Sequence, residues 1–176
     1  MVTTLWAIDP AHSELQFKVK HLMITTVTGS FTKLSGTAQT DGNEFQNAAI
    51  GFTAEIGSIS TNNEQRDAHL KSAEFFDAVL YPELIFVSTS MTKVEGETYK
   101  LEGNLTMHGI TQPIVLNVEQ AGIQKDPWGN VKAGFELSGK LSRKDFGLTW
   151  NAPTETGGVL VSDEVKLLAN IQLAVQ

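Results

Sequence analysis

The sequence predicts an all-β protein, an eight-stranded antiparallel β-barrel with a short helical segment, about residues 61–77, lying over it. Period-two alternation of apolar and polar residues recurs eight times along the chain, the signature of half-buried strands. Only one stretch, Ser58 to Phe86, interrupts the alternation with helix signals. Tight turns join the strands, so neighbours run antiparallel, and closure removes the unpaired edges an open sheet would expose. A two-sheet sandwich is the rival arrangement.

Strands are expected near residues 13–21, 29–40, 46–57, 84–94, 98–108, 112–124, 130–142 and 161–175. In the first, Leu15, Phe17 and Val19 share a face, with Lys18 and Lys20 opposite and His21 at the apolar face's end. Ile50, Phe52, Ala54 and Ile56 share another, as do Tyr99, Leu101, Leu105 and Met107, and then Val131, Ala133, Phe135, Leu137 and Leu141. The last strand is the clearest, with Val165, Leu167, Ala169, Ile171, Leu173 and Val175 on one side. Asp41-Gly42, Glu95-Gly96-Glu97, His108-Gly109 and Asp126-Pro127-Trp128-Gly129-Asn130 punctuate them as turns. Between the third and fourth strands, Thr61-Asn62-Asn63-Glu64 has capping-box form and predicts a helix from about Asn63 to Lys71. A further helical turn over Ala73–Asp77 would end at Tyr81-Pro82.

The 176 residues are read as a single domain, 1–176, long enough to bury a sizeable core. With 41% apolar and 19% charged residues and no run of 18 apolar ones, the composition is that of a soluble protein that does not span a membrane. The start MVTTLWAIDP has neither a basic nor an apolar leader region, which predicts a cytoplasmic location; a periplasmic or secreted one applies if a leader has been trimmed away. The absence of cysteine excludes disulfide and thiolate chemistry. Net charge is −7, and residues 41–97 alone carry −7, which opposes nucleic acid or an anionic membrane as a partner on that face.

His12, His21, His69 and His108 lack the spacing of a metal site, so no metal is expected. There is no nucleophile elbow, no paired carboxylate on one face and no phosphate-binding glycine loop, and so no catalytic residue is assigned. Arg66-Asp67-Ala68-His69-Leu70 is the densest polar cluster; it is either a solvated helix surface or a polar collar at the barrel mouth, to which Lys18, Lys20 and His21 add positive charge. Phe17, Phe31, Phe52, Phe75, Phe76, Phe86, Phe135 and Phe146 either fill the barrel or line an elongated cavity, because eight strands make a barrel near the size that allows both.

Nine short motifs resemble the YceI-like family of polyisoprenoid- or lipid-binding proteins nearly end to end. They are W-x-I-D-P-x-H-S at Trp6–Ser13, F-x-V-x-H at Phe17–His21, G-x-F at Gly29–Phe31, S-I-x-T at Ser58–Thr61 and R-D-x-H-L at Arg66–Leu70. F-F-D at Phe75–Asp77, Y-P at Tyr81-Pro82, G-x-L-T-x-H-G-x-T at Gly103–Thr111 and R-x-D-F-G at Arg143–Gly147 complete the set. The resemblance implies a lipocalin-like barrel whose tunnel holds a polyisoprenoid or a related fatty-chain amphiphile, with no other cofactor.

On that implication the tunnel is lined by Phe17, Val19, Phe31, Phe52, Ile56, Phe75, Phe76, Phe86, Leu105, Phe135, Leu137 and Phe146. Its polar mouth is formed by Lys20, His21, Arg66, His69 and Arg143. The expected function is binding, and with it transport or storage, of a small amphiphilic lipid, without catalysis. One alternative is a barrel isomerase or hydrolase acting on a lipid, with His21 or His69 as base and Arg66 as anion clamp. Another is a solid-core interaction module, a homodimer through an exposed strand or the helix.

Overall fold

A computed structural model describes residues 2–152, 154–155 and 158–176. The strands among them are β1 (Thr3–Ile8), β2 (Glu14–His21), β3 (Thr25–Phe31), β4 (Leu34–Asp41), β5 (Glu44–Glu55), β6 (Ile59–Ser60), β7 (Glu83–Glu95), β8 (Thr98–Met107), β9 (Ile110–Lys125), β10 (Val131–Ser142) and β11 (Glu164–Val175), with one helix, α1 (Glu64–Lys71). All strands belong to one antiparallel sheet that closes on itself. The sandwich arrangement is therefore excluded.

Closure depends on a broken strand. The first half of β11 pairs with β2, Lys166 opposite Lys18, while its end pairs with β1, Leu173 opposite Ile8 and Val175 opposite Trp6. β1 and β2 thus serve as one long strand interrupted at Asp9–Ser13, where Pro10 has no N–H to give a ladder and opens a 3-10 turn capped by the Asp9 carboxylate. β3 and β4 likewise flank a short break at Thr32-Lys33. Counted this way the barrel has eight strands, and β6 is a short addition on the edge of β3.

The sequence reading misses β1 and the first residues of β3, and starts β11 three residues early. In β1 the outward Leu5 is 43% exposed beside a fully buried Trp6, so apolar residues occupy both faces and the alternation is flat. Thr25, Thr26 and Thr28 give β3 the opposite problem, polar residues with only Val27 between them turned inward. Val161 makes a single bridge to His21 and the regular strand begins at Glu164.

Helix α1 begins one residue after Asn63, whose side-chain oxygen accepts the Arg66 backbone N–H at 3.0 Å. The predicted capping box is corrected: Thr61 is not the cap, because it continues the extended chain and its hydroxyl donates to Asp67 Oδ1 at 2.6 Å. Ala73–Asp77 is a bonded turn and not a helix. Phe76 N–H returns to Leu70 O at 3.0 Å and Ala78 N–H to Lys71 O at 2.9 Å, with Asp77 left-handed at φ 51°. None of the described helices is long and apolar enough to cross a membrane.

The strand directions give the barrel two unlike ends. The chain termini and the turns after β4, β7 and β9 gather at one end, which is packed shut. The β2–β3 and β8–β9 turns, α1 and the segment between β10 and β11 gather at the other. On β8 the buried Tyr99, Leu101, Gly103, Leu105 and Met107 alternate with outward Lys100, Glu102, Asn104 and Thr106, which sets the direction of the interior.

Candidate functional site

The interior is not filled. A cavity of about 380 Å³ runs through the barrel and is walled almost entirely by apolar side chains. That volume falls within the range of small-molecule sites, roughly 300–1,000 Å³.

Local chain chemistry keeps this space open. Phe17 on β2 faces Gly29 on β3, and a methyl group built on Gly29 would stand 2.2 Å from Phe17 Cζ. Phe86 on β7 lies over Gly103 in the same way, 2.4 Å from the corresponding position, and Leu116 leans over Gly139 at 2.5 Å. In each case a missing side chain lets a large one lie flat against the wall instead of projecting toward the barrel axis.

An aromatic stack closes the far end. Trp6 and Phe45 have ring centroids 5.2 Å apart, and Phe45 meets Phe135 edge to face at 4.7 Å. Trp6 is fully buried and its indole N–H donates to Thr40 Oγ1 at 2.8 Å. Phe45 escapes sequence reading because Asn47 adopts a left-handed φ of 64° within β5. That irregularity shifts the alternation, and counting back from Ile50 through Ala48 would turn Phe45 outward.

Ten of the residues predicted to line the tunnel do lie on the cavity wall: Phe17, Val19, Phe31, Phe52, Phe75, Phe76, Phe86, Leu105, Phe135 and Leu137. Ile56 and Phe146 do not, although both are buried. Each sits in a 3-10 turn where the chain has left its strand, so the strand's alternation no longer decides where the side chain points.

The predicted polar mouth divides into two kinds of residue. Lys20, His21, Arg66 and His69 stand at the open end, Lys20 and Arg66 exposed. Arg66 donates from Nε to Thr61 Oγ1 and from Nη2 to Thr61 O, both at 2.8 Å, which fixes its guanidinium, and among the described residues no carboxylate stands within ion-pair distance of it. His69 packs edge-on against Phe75 at 5.0 Å and Trp150 at 4.8 Å, and Nε2 contacts the Glu74 carboxylate. Trp150 and Thr61, absent from the predicted mouth, complete this rim.

Arg143 is the correction. It touches the cavity but is only 4% exposed, and its guanidinium donates to four backbone carbonyls: Ser162 O at 2.9 Å, Leu148 O at 2.6 Å, Trp150 O at 2.8 Å and Val161 O at 3.2 Å. Burial pulls its pKa below the ordinary value, opposed by the nearby Asp163 charge. It holds the rim segment in place rather than presenting a charge to a ligand. Burial of Asp163 raises its pKa, but hydrogen bonds from Ser142 Oγ and Lys144 N–H outweigh this and hold the carboxyl below its usual range.

The remaining histidines serve local structure. His12 Nδ1 pairs with Asp9 at 2.9 Å on the outside of the barrel, and His108 Nδ1 contacts Phe146 O at 3.0 Å with its ring against Tyr81. Among the described residues no three His, Cys, Asp or Glu side chains converge as a metal-binding group.

A family model described as the YceI-like domain matches residues 6–173. A UPF0312 protein of Photorhabdus laumondii is 41% identical over 139 residues, 79% of this chain and 72% of that protein. The crystal structure of the Campylobacter jejuni YCEI protein superposes with a TM-score of 0.76 at 34% identity, covering 90% of each chain. A polyisoprenoid binding domain from Saccharophagus degradans shares the fold, with a TM-score of 0.68 at 16% identity over 97% of this chain and 98% of that one. Match, identity and fold agree over nearly the whole sequence: the chain belongs to the YceI-like family.

Proposed function

We propose that this protein binds the hydrocarbon chain of a long amphiphilic lipid, a polyisoprenoid or a related fatty-chain molecule, inside the barrel. The observation that carries the proposal is the continuous, almost wholly apolar cavity whose charged and histidine side chains stand at one end. The lipid enters tail first, and the aromatic stack of Trp6, Phe45 and Phe135 stops it. Each buried methylene contributes about 0.8 kcal/mol, so a chain of modest length outweighs the cost of ordering it. Support from outside the chain comes from the Saccharophagus domain, a polyisoprenoid binding domain of the same fold.

The head group stays at the mouth, where Lys20 and Arg66 offer positive charge and His21 offers a hydrogen bond. This set suits an anionic head such as a phosphate. Binding without catalysis is the better reading, because among the described residues no carboxylate lies on the cavity wall and the titratable groups that do are Lys20, His21, Arg66, His69 and Arg143, all at the open end. Transport or storage follows as the use of such a site.

Native mass spectrometry of protein purified from a lipid-containing host, followed by organic extraction, tests the proposal. A bound mass that extracts as an isoprenoid or fatty-chain lipid is expected. An apo mass alone, with no uptake of either probe at micromolar concentration, would contradict it.

A further inference from the structure

We propose that the open end of the barrel docks on an anionic lipid surface, through an apolar hairpin tip with a row of lysines behind it. The tip is the turn between β2 and β3, where Leu22, Met23 and Ile24 are 40%, 58% and 77% exposed. Leu22 N–H donates to Leu160 O at 2.9 Å, which brings the segment carrying the 42% exposed Val159 alongside.

The turn's backbone makes this composition notable. Leu22 and Met23 are both left-handed, at φ 53° and 59°, and Ile24 N–H closes the turn on His21 O at 3.1 Å. Two successive left-handed residues favour Asn-Gly. Bulky apolar side chains here serve neither the turn nor the core, and their use is explained by something outside the chain that covers them.

The charge behind the tip names the partner. On the outer face, Lys140 of β10, Lys166 of β11 and Lys18 of β2 stand directly opposite one another across three neighbouring strands, and Lys20, at the rim of the mouth, lies two residues nearer the tip. Like charges in cross-strand register are destabilising, so the row works against the fold. Of these four lysines only Lys140 has an acidic partner among the described residues, Glu164 at 3.6 Å; Asp163 turns to Ser142 and the Lys144 backbone. At about 3.3 Å per strand residue, Lys20 sits ~7 Å and the row ~13 Å behind Leu22. With the tip roughly 5–10 Å into the headgroup boundary, the lysine side chains reach the head groups.

Within the acidic run 41–97, β5 and β7 occupy another sector of the barrel wall, whereas α1 shares the open end and carries balanced charge, Glu64 and Asp67 against Arg66 and Lys71. Screening limits the reach of the remaining carboxylates to about 8 Å at physiological ionic strength. The inference does not depend on what the cavity holds, so its failure and that of the binding proposal are separable.

Sedimentation of the full chain with phosphatidylcholine vesicles, with and without phosphatidylglycerol, tests it. Binding to the anionic vesicles is expected to exceed binding to the neutral ones at least about tenfold and to weaken at high salt. Ile24→Asp, and Lys18→Glu combined with Lys166→Glu, should each lower it about tenfold or more. The decisive variant is Leu22→Asn with Met23→Gly, which suits the left-handed turn: its melting temperature should hold or rise while vesicle binding is lost. Equal binding to neutral vesicles, or full binding by the Asn-Gly variant, would overturn the proposal. So would an absence of vesicle binding together with self-association that Ile24→Asp abolishes, which would assign the tip to a second copy of this chain.

Discussion

Whether the barrel has a lumen is decided at a few pairs of residues, and Phe17 over Gly29 is the most accessible to experiment. A Cβ at Gly29 meets only the outer atoms of the Phe17 ring, so the ring must swing toward the axis. Gly29→Ala is therefore expected to weaken binding of a long-chain lipid about tenfold while costing ~1–3 kcal/mol of stability. Combining it with Phe17→Leu should restore part of the binding. A titration of ligand-stripped protein beside a denaturant curve checks this, and unchanged affinity in Gly29→Ala would show that the ring does not bound the lumen. Phe17 and Phe135 look alike in sequence, both inward aromatics on alternating strands, yet their surroundings differ. Phe17 is half-buried, whereas Phe135 is 6% exposed and meets Phe45. Phe135→Ala should accordingly cost about 3–5 kcal/mol, and Phe17→Ala less than about 2, measured by chemical denaturation of the ligand-stripped forms. The two mouth arginines part in the same way. Arg66→Ala should weaken an anionic lipid and spare a neutral one, because the residue is exposed and no carboxylate of the described residues pairs with its guanidinium. Equal losses for both lipids would reduce Arg66 to helix surface.

At the scale of elements, alternation made eight strands legible and failed where it was locally erased. It was flat in β1, where Leu5 and Trp6 oppose each other, polar on both faces at the start of β3, and shifted by the Asn47 irregularity that turns Phe45 inward. Residue type alone placed Arg66 and Arg143 in one collar. Only the fold shows that the second is spent on carbonyls of the segment between β10 and β11. That segment has an acid-sensitive partner in Asp163. Because the carboxyl is held below its ordinary value, it contributes stability in full above about pH 4 and loses it as pH falls through the depressed folded-state value. Asp163→Asn should lower the melting temperature at pH 7 and flatten its decline on acidification. Thermal unfolding followed from about pH 7 to pH 2 checks the sign, and parallel curves for the two proteins would remove Asp163 from the account.

Across the whole molecule, the same closure that hides the strand edges creates two unlike ends, one sealed by stacked aromatics and one ringed by polar groups. Charge summed along the sequence concealed the lysine row, since Lys18, Lys140 and Lys166 are distant in the chain and meet only across strands. The family motifs were legible from short fragments, whereas the depth of the cavity was not, because it depends on rings lying over glycines of neighbouring strands. The central claim is that this depth takes a hydrocarbon chain. Titrating ligand-stripped protein with a series of lipids of one head group and increasing chain length measures it directly. Affinity should rise roughly fourfold per added methylene and then level off as the chain outgrows a cavity of about 380 Å³. Affinity that follows the head group and is indifferent to chain length would contradict the account.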